Sequence, residues 1–135
     1  MKTLFAVVIC VVCLLGLDVV WLGLATESLY RPAMGSLLRT DFNLLPGAGF
    51  YVIYGLALAV LVIRPVLTAE GGHGELTLKA ALLGLAAFAT YDLTALSVIR
   101  DWPLTLSFID MAWGTFAAVV ACNVTVVVLK ALRQN

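Results

Sequence analysis

Residues 4–24 read LFAVVICVVCLLGLDVVWLGL, an apolar stretch in which Asp18 is the single charged residue. A helix needs about 20 mostly apolar residues to cross the roughly 30 Å hydrocarbon core of a bilayer, and this stretch is long enough. Three later stretches meet the same requirement, at residues 44–63, 78–99 and 104–129. Their apolar residues are continuous rather than alternating, which argues against transmembrane strands. The sequence therefore predicts an all-α integral membrane protein, a bundle of four transmembrane helices forming a single domain over residues 1–135.

The composition of the whole chain agrees with a membrane protein and excludes several other classes. Of 135 residues, 63% are hydrophobic and 12% are charged, and eight basic residues balance eight acidic ones. A soluble domain carries about 25% charged residues, roughly twice this fraction. A nucleic-acid binder needs a basic surface, and a disordered chain needs low hydrophobicity with high charge. The predicted partner is the lipid bilayer, and no nucleic acid is expected.

The first span also has features of a signal peptide. Lys2 precedes the apolar run, and Gly23, Leu24 and Ala25 resemble a small-residue cleavage site. The run is nevertheless long for the apolar region of a signal peptide, and it carries Asp18 near its end. We therefore expect the first span to be retained as a helix.

The basic residues near the span ends predict the orientation. One side of the membrane receives both termini and the second loop, and it holds five basic residues: Lys2, Arg64, Lys79, Lys130 and Arg133. The other side receives the first and third loops and holds three: Arg31, Arg39 and Arg100. Because cytoplasmic loops carry an excess of Lys and Arg, both termini are predicted to be cytoplasmic.

Three aspartates inside the predicted spans are the strongest candidates for function: Asp18, Asp92 and Asp110. An Asp at the centre of a membrane helix costs about 2.5–3.5 kcal/mol on insertion scales. Asp18 and Asp92 lie near the ends of the first and third spans, and Asp110 lies near the start of the fourth. Because these spans alternate in direction, all three acids fall at one depth, about 10 Å inside the membrane boundary. We expect them to face the bundle interior and to bind or transfer protons.

Aromatic residues fall at the same depth as the acids. The spacing D-x-x-W occurs twice, from Asp18 to Trp21 and from Asp110 to Trp113. Residues three apart share a helix face, so we expect each Asp to lie beside the Trp of its own motif. The candidate ligand-binding residues at this depth are Trp21, Tyr51, Tyr54, Tyr91, Thr94 and Trp113.

The remaining polar and sulfur side chains predict no metal site and no cofactor. Residues 28–42 mix apolar and basic residues, as expected of a segment at the membrane interface. Residues 68–74 form a Gly-rich turn that holds the single histidine, His73, which is expected to be solvated. Three cysteines lie inside spans, where an apolar setting leaves thiols unreactive, and we expect them to be packing residues: Cys10, Cys13 and Cys122.

Four pieces of the sequence together resemble a known family. They are LDVVWLG at 17–23, FYVIYG at 50–55, ATYDLTAL at 89–96, and RDWP followed by DMAWG within 100–114. The chain resembles, over nearly its whole length, the bacterial predicted membrane proteins grouped as domain-of-unknown-function family 2177. The resemblance implies a short multi-pass protein of the bacterial inner membrane and implies no activity. Ala95 stands where we expect Asn after Y-D-L-T, which changes the polar network there.

Three functions fit these residues. Crowded carboxyl groups in an apolar setting cannot all ionise, so one can donate a proton while another acts as a base on a lipid-like substrate. The same acids suit a proton- or cation-coupled transporter, which with four spans would need a homodimer or a larger oligomer. They also suit a structural or assembly protein in which they only tie helices together. We prefer a pocket for a small hydrophobic molecule, because the aromatic residues outnumber what a proton relay needs.

Overall fold

The computed structural model describes residues 1–69 and 71–135, which form four long helices. Each helix is long and apolar enough to cross a membrane. They are α1 (Lys2–Leu37), α2 (Leu44–Thr68), α3 (His73–Val98) and α4 (Leu104–Gln134). No strand occurs in the described part of the chain. The predicted all-α membrane bundle of four helices is therefore confirmed.

Helix α1 continues well beyond the predicted span 4–24. Its α-helical part ends at Ala25, and a π turn over Thr26–Tyr30 carries the helix onward. One further α turn, Arg31–Met34, and a short 3-10 turn complete it. Part of the segment expected at the membrane interface is therefore a helical extension of the first span.

A second π turn occurs in α2, over Ala59–Ile63, and both π turns precede the same dipeptide. Arg31-Pro32 follows the first turn, and Arg64-Pro65 follows the second. Proline lacks a backbone N–H, and its ring crowds the carbonyl four residues earlier. A widened turn before the proline relieves this crowding and lets the helix continue.

Two residues with positive φ mark places where a helical path ends or turns. Gly35, with φ of 56°, starts the last turn of α1, and Asp101, with φ of 60°, lies between α3 and α4. Glycine adopts the left-handed region freely, and Asp adopts it more readily than most residues. Pro103 then precedes the first turn of α4.

The turn predicted at residues 68–74 is shorter than expected. Glu70 lies outside the described residues, and α3 already begins at His73. His73 is exposed, and its Nδ1 lies 2.6 Å from Oδ1 of Asn123 on α4. The histidine therefore helps hold the start of α3 against α4 instead of standing free in a loop.

Helix α4 is the most buried helix and packs most extensively against α3. At their closest approach, a Cβ added to Gly84 would lie 2.7 Å from Ala118 Cβ and 3.0 Å from Gly114 O. Glycine at this place lets the two backbones come together, as small residues do in membrane bundles. Cys10 and Cys122 are buried in the core between α1 and α4. Large apolar side chains on the outer faces are exposed, which suits contact with lipid.

Candidate functional site

Asp18 on α1 accepts hydrogen bonds from two other helices. The hydroxyl of Tyr51 on α2 donates to Oδ2, and Nε1 of Trp113 on α4 donates to Oδ1 at 2.8 Å. Both carboxylate oxygens therefore have a donor, and the side chain is half-buried. This arrangement joins three helices and satisfies a charge that would be costly in lipid without partners.

Asp110 on α4 is held by Tyr30, a residue of the segment predicted to lie at the membrane interface. The hydroxyl of Tyr30 donates to Oδ1 of Asp110 at 2.6 Å, and it accepts from Nε1 of Trp21 at 3.0 Å. Tyr30 is the last residue of the π turn in α1, so the helical extension is what brings it to α4. Tyr30 is the main member of the site that sequence reasoning missed.

The two tryptophans lie against each other between α1 and α4. The rings of Trp21 and Trp113 stack with centroids 4.7 Å apart and planes 8° from parallel. Each Asp lines one cavity together with the Trp of its own motif, as the spacing predicts, but the hydrogen bonds of the two tryptophans follow a crossed pattern. Trp113 donates to Asp18, and Trp21 connects to Asp110 through Tyr30. Because α1 and α4 run in opposite directions, each Trp faces the acid of the other helix.

Asp92 on α3 lies beside Asp110 and is almost fully buried. Its exposed fraction is 2%, and both carboxyl groups line one cavity. Among residues 1–69 and 71–135, Asp92 Oδ2 has no hydrogen-bond partner. Buried polar atoms nearly always have a partner, so this oxygen is available to a proton, a water or a ligand. The structure thus brings all three predicted acids into one region.

Asp110 borders three cavities. The largest, of about 580 Å³, lies between α2 and α3 and ends on Asp110. A second of about 210 Å³ reaches Asp92, and a third of about 160 Å³ reaches Asp18. The other residues lining the largest cavity are Pro46, Gly47, Phe50, Ala87, Phe88 and Tyr91. Its wall is therefore apolar and aromatic, with one carboxyl group among the lining residues.

Tyr91 belongs to the cavities, although it lies toward the surface. Its side chain is 58% exposed and packs edge-on against Trp102, with ring centroids 5.6 Å apart. It lines both the largest cavity and the one that contains Asp92. Phe50 and Phe88 complete the aromatic wall of the largest cavity, and neither is among the predicted ligand-binding residues.

Tyr54 and Thr94 lie outside the hydrogen-bonded cluster. Tyr54 is buried, and its ring stacks on Phe50 with centroids 5.1 Å apart. Thr94 is exposed, and its hydroxyl donates to the carbonyl of Thr90 in the same helix. Positions two residues apart in an α-helix are rotated by about 200° around the helix axis. Thr94 therefore points away from the side that buries Asp92.

The comparisons with known proteins give a family and no chemistry. Residues 3–127 match a family described as "Predicted membrane protein (DUF2177)". Searches of curated proteins and of solved structures gave no match. Within the described ranges, no group of three or more His, Cys, Asp or Glu side chains could hold a metal ion. Because the match extends over nearly the whole chain, this protein belongs to the DUF2177 family of membrane proteins.

Proposed function

We propose that the protein binds a small lipid-like molecule in the cavity that ends on Asp110. The observation that supports this most is the cavity itself, about 580 Å³ with aromatic walls and one carboxyl group in its lining. Ligand pockets typically measure about 300–1,000 Å³ and combine apolar walls with a few polar groups. The apolar part of the molecule would lie against Phe50 and Phe88, and its polar group would meet Asp110.

The acids divide into one that anchors helices, one that lines the ligand cavity, and one that lies beside it in the adjoining cavity. Asp18 uses both oxygens for Tyr51 and Trp113, so we assign it to holding the bundle together. Asp92 and Asp110 lie side by side and face cavities. Two adjacent carboxyl groups hold one proton between them more readily than two negative charges. One can act as an acid and the other as a base, which suits hydrolysis, isomerisation or hydration.

The ligand would enter sideways from the bilayer. The cavity lies between α2 and α3, and Pro46 and Gly47 line it near the first turn of α2. Both residues are exposed, so this part of the cavity lining faces the surroundings of the bundle. A molecule dissolved in the membrane would therefore reach Asp110 without crossing water.

We also infer that the protein lies in a bacterial inner membrane with both termini in the cytoplasm. Five basic residues near the span ends support this orientation against three on the other side. The acid cluster would then lie in the outer half of the membrane. Reporter proteins fused to residue 135, one active only in the cytoplasm and one only outside it, test the orientation. A fusion active only outside would reverse it.

Mass spectrometry of lipids that co-purify with the protein in mild detergent tests the binding proposal. We expect the wild type to retain a specific hydrophobic molecule, and Asp110→Asn and Asp92→Asn to retain at least tenfold less. Asp41→Asn makes the same chemical change at an exposed site outside the cluster and should retain as much as the wild type. A wild type without any enriched molecule, with all variants folded, would refute the proposal.

A second candidate is a proton- or cation-coupled transporter. The specific observation in its favour is the buried oxygen of Asp92, which has no hydrogen-bond partner in the described chain and lies beside Asp110. Four helices leave little room for a pathway, so a homodimer or larger oligomer would be needed. Proteoliposomes with an internal pH dye should show flux that Asp92→Asn abolishes. A strictly monomeric protein without flux would exclude transport, and absence of both flux and ligand would leave helix packing as the role of the acids.

A further inference from the structure

Three basic side chains meet at the end of the bundle that is opposite to the acid cluster. Lys2 at the start of α1, Arg64 near the end of α2 and Arg133 near the end of α4 line one cavity of about 360 Å³. Ile63 and Leu67 form part of its wall. Three helices that are distant in sequence therefore contribute one positive charge each to a single pocket.

An apolar groove adjoins this basic pocket. A second cavity, of about 290 Å³, shares Lys2, Leu67 and Arg133 with the first. The residues that it adds are all apolar: Phe5, Leu129 and Leu132. A positively charged pocket thus continues into a surface that suits a hydrocarbon chain, at the end of the membrane-spanning helices.

The charges of this pocket are not neutralised within the described residues. Elsewhere in the described residues, Glu27 forms an ion pair with Arg31 at 2.9 Å, and Glu75 forms one with Lys79 at 2.6 Å. Neither pair involves a residue that lines the basic pocket. Among residues 1–69 and 71–135, no carboxylate lies within ion-pair distance of Lys2, Arg64 or Arg133. The pocket therefore favours an anionic occupant.

We propose that this pocket binds the phosphate of an anionic phospholipid, with one acyl chain along Phe5, Leu129 and Leu132. The guanidinium groups of Arg64 and Arg133 can each donate two hydrogen bonds to phosphate oxygens, and Lys2 adds a third positive charge. Basic pockets at the cytoplasmic ends of membrane helices attract such headgroups. A zwitterionic lipid carries its own ammonium group, which would meet three cations here.

This proposal does not depend on the function proposed above. None of the residues lining the basic pocket lines a cavity that borders Asp110. Loss of lipid binding at the basic end would leave the acid cluster unchanged, and the reverse also holds.

Native mass spectrometry of the full chain with added phosphatidylglycerol or phosphatidylcholine tests the proposal. We expect tighter binding of phosphatidylglycerol, and a decrease of about fivefold for each charge removed by Arg64→Gln or Arg133→Gln. Lys130→Gln removes a charge at the same end from a residue that lines neither cavity, and it should bind like the wild type. Inorganic phosphate at millimolar concentration should not displace the lipid, because it lacks the acyl chain.

Three results would overturn the proposal. Equal affinity for the two lipids would show that charge does not select the ligand. An equal effect of Lys130→Gln and Arg64→Gln would show a diffuse charge effect without a site. Displacement of the lipid by inorganic phosphate would show a site for free anions instead. Thermal unfolding of each variant shows whether it is folded, and Lys2→Gln replaces any arginine variant that is not.

Discussion

At the scale of single residues, Asp18 has the most fully satisfied polar side chain of the cluster. Its carboxylate joins α1 to α2 through Tyr51 and to α4 through Trp113. Hydrogen bonds between membrane helices contribute about 0.6 kcal/mol on average and up to about 1.7 kcal/mol. Asp18 therefore stabilises the bundle by an amount that mutagenesis can measure.

A double-mutant cycle measures the bond between Asp18 and Trp113. Asp18→Ala and Trp113→Phe should show a coupling energy of about 1 kcal/mol in unfolding, because each change removes the same hydrogen bond. Trp102→Phe serves as the matched control, since Trp102 packs against Tyr91 and lies outside this bond. Its effect should add to that of Asp18→Ala within about 0.5 kcal/mol. Additivity between Asp18→Ala and Trp113→Phe would refute the bond.

A second prediction at this scale concerns Gly84, where α3 and α4 approach each other closely. Gly84→Ala would place a Cβ 2.7 Å from Ala118 Cβ and 3.0 Å from a backbone oxygen, so the helices must separate. We expect a loss of about 1–3 kcal/mol in the free energy of unfolding. Gly16→Ala meets no atom of the described residues within 4 Å and should be neutral or stabilising. Equal stability of the two variants would contradict this packing.

At the scale of elements, the length of each apolar stretch is enough to predict the four helices. The end of α1 is harder to predict, because polar residues interrupt the apolar pattern before the helix ends. Glu27, Ser28 and Arg31 end the apolar pattern, so the sequence predicts an interfacial segment at residues 28–42 and no continuation of the helix. Hydropathy cannot detect that a π turn keeps the helix going and carries Tyr30 to Asp110. The one sequence signal was the Arg-Pro dipeptide, which follows both π turns.

Tyr30 should hold the helical extension of α1 against the bundle. Tyr30→Phe removes the bond to Asp110 while leaving the ring, so amides of residues 26–37 should exchange with solvent roughly fivefold faster. Tyr91→Phe makes the same change at an exposed tyrosine outside the hydrogen-bonded cluster and should leave this segment unaffected. Hydrogen exchange measured by mass spectrometry distinguishes the two. Unchanged exchange in Tyr30→Phe would mean that other contacts hold the segment.

At the scale of the whole molecule, the apolar character of the outer surface of the bundle follows most directly from contact with lipid. Val12 is 63% exposed near the middle of the apolar span 4–24, and Leu4 is 65% exposed at the start of that span. Val12→Arg should reduce membrane insertion, because Arg at a helix centre costs about 2.5–3.5 kcal/mol. Leu4→Arg should insert almost normally, since a long basic side chain near a helix end reaches the interface. Equal insertion, measured by carbonate extraction, would argue that this face of α1 is covered by protein.

The arrangement of the acids shows which part of a site a membrane sequence can predict. Depth follows from counting residues to a span end, so Asp18, Asp92 and Asp110 could be placed at one level. Which helices are neighbours does not follow from counting. The pairing of Trp113 with Asp18 depends on α1 lying beside α4, and no pattern in the sequence states that.

The parallel rings of Trp21 and Trp113 also give the protein a built-in optical signal. Two indoles held with their centroids 4.7 Å apart each lie in a fixed asymmetric environment, which gives a signal in near-ultraviolet circular dichroism. One ring belongs to α1 and the other to α4, so their contribution to this signal decreases when the two helices separate. Separation of the two helices, by heat, detergent or a ligand entering beside them, could then be followed in real time without any label.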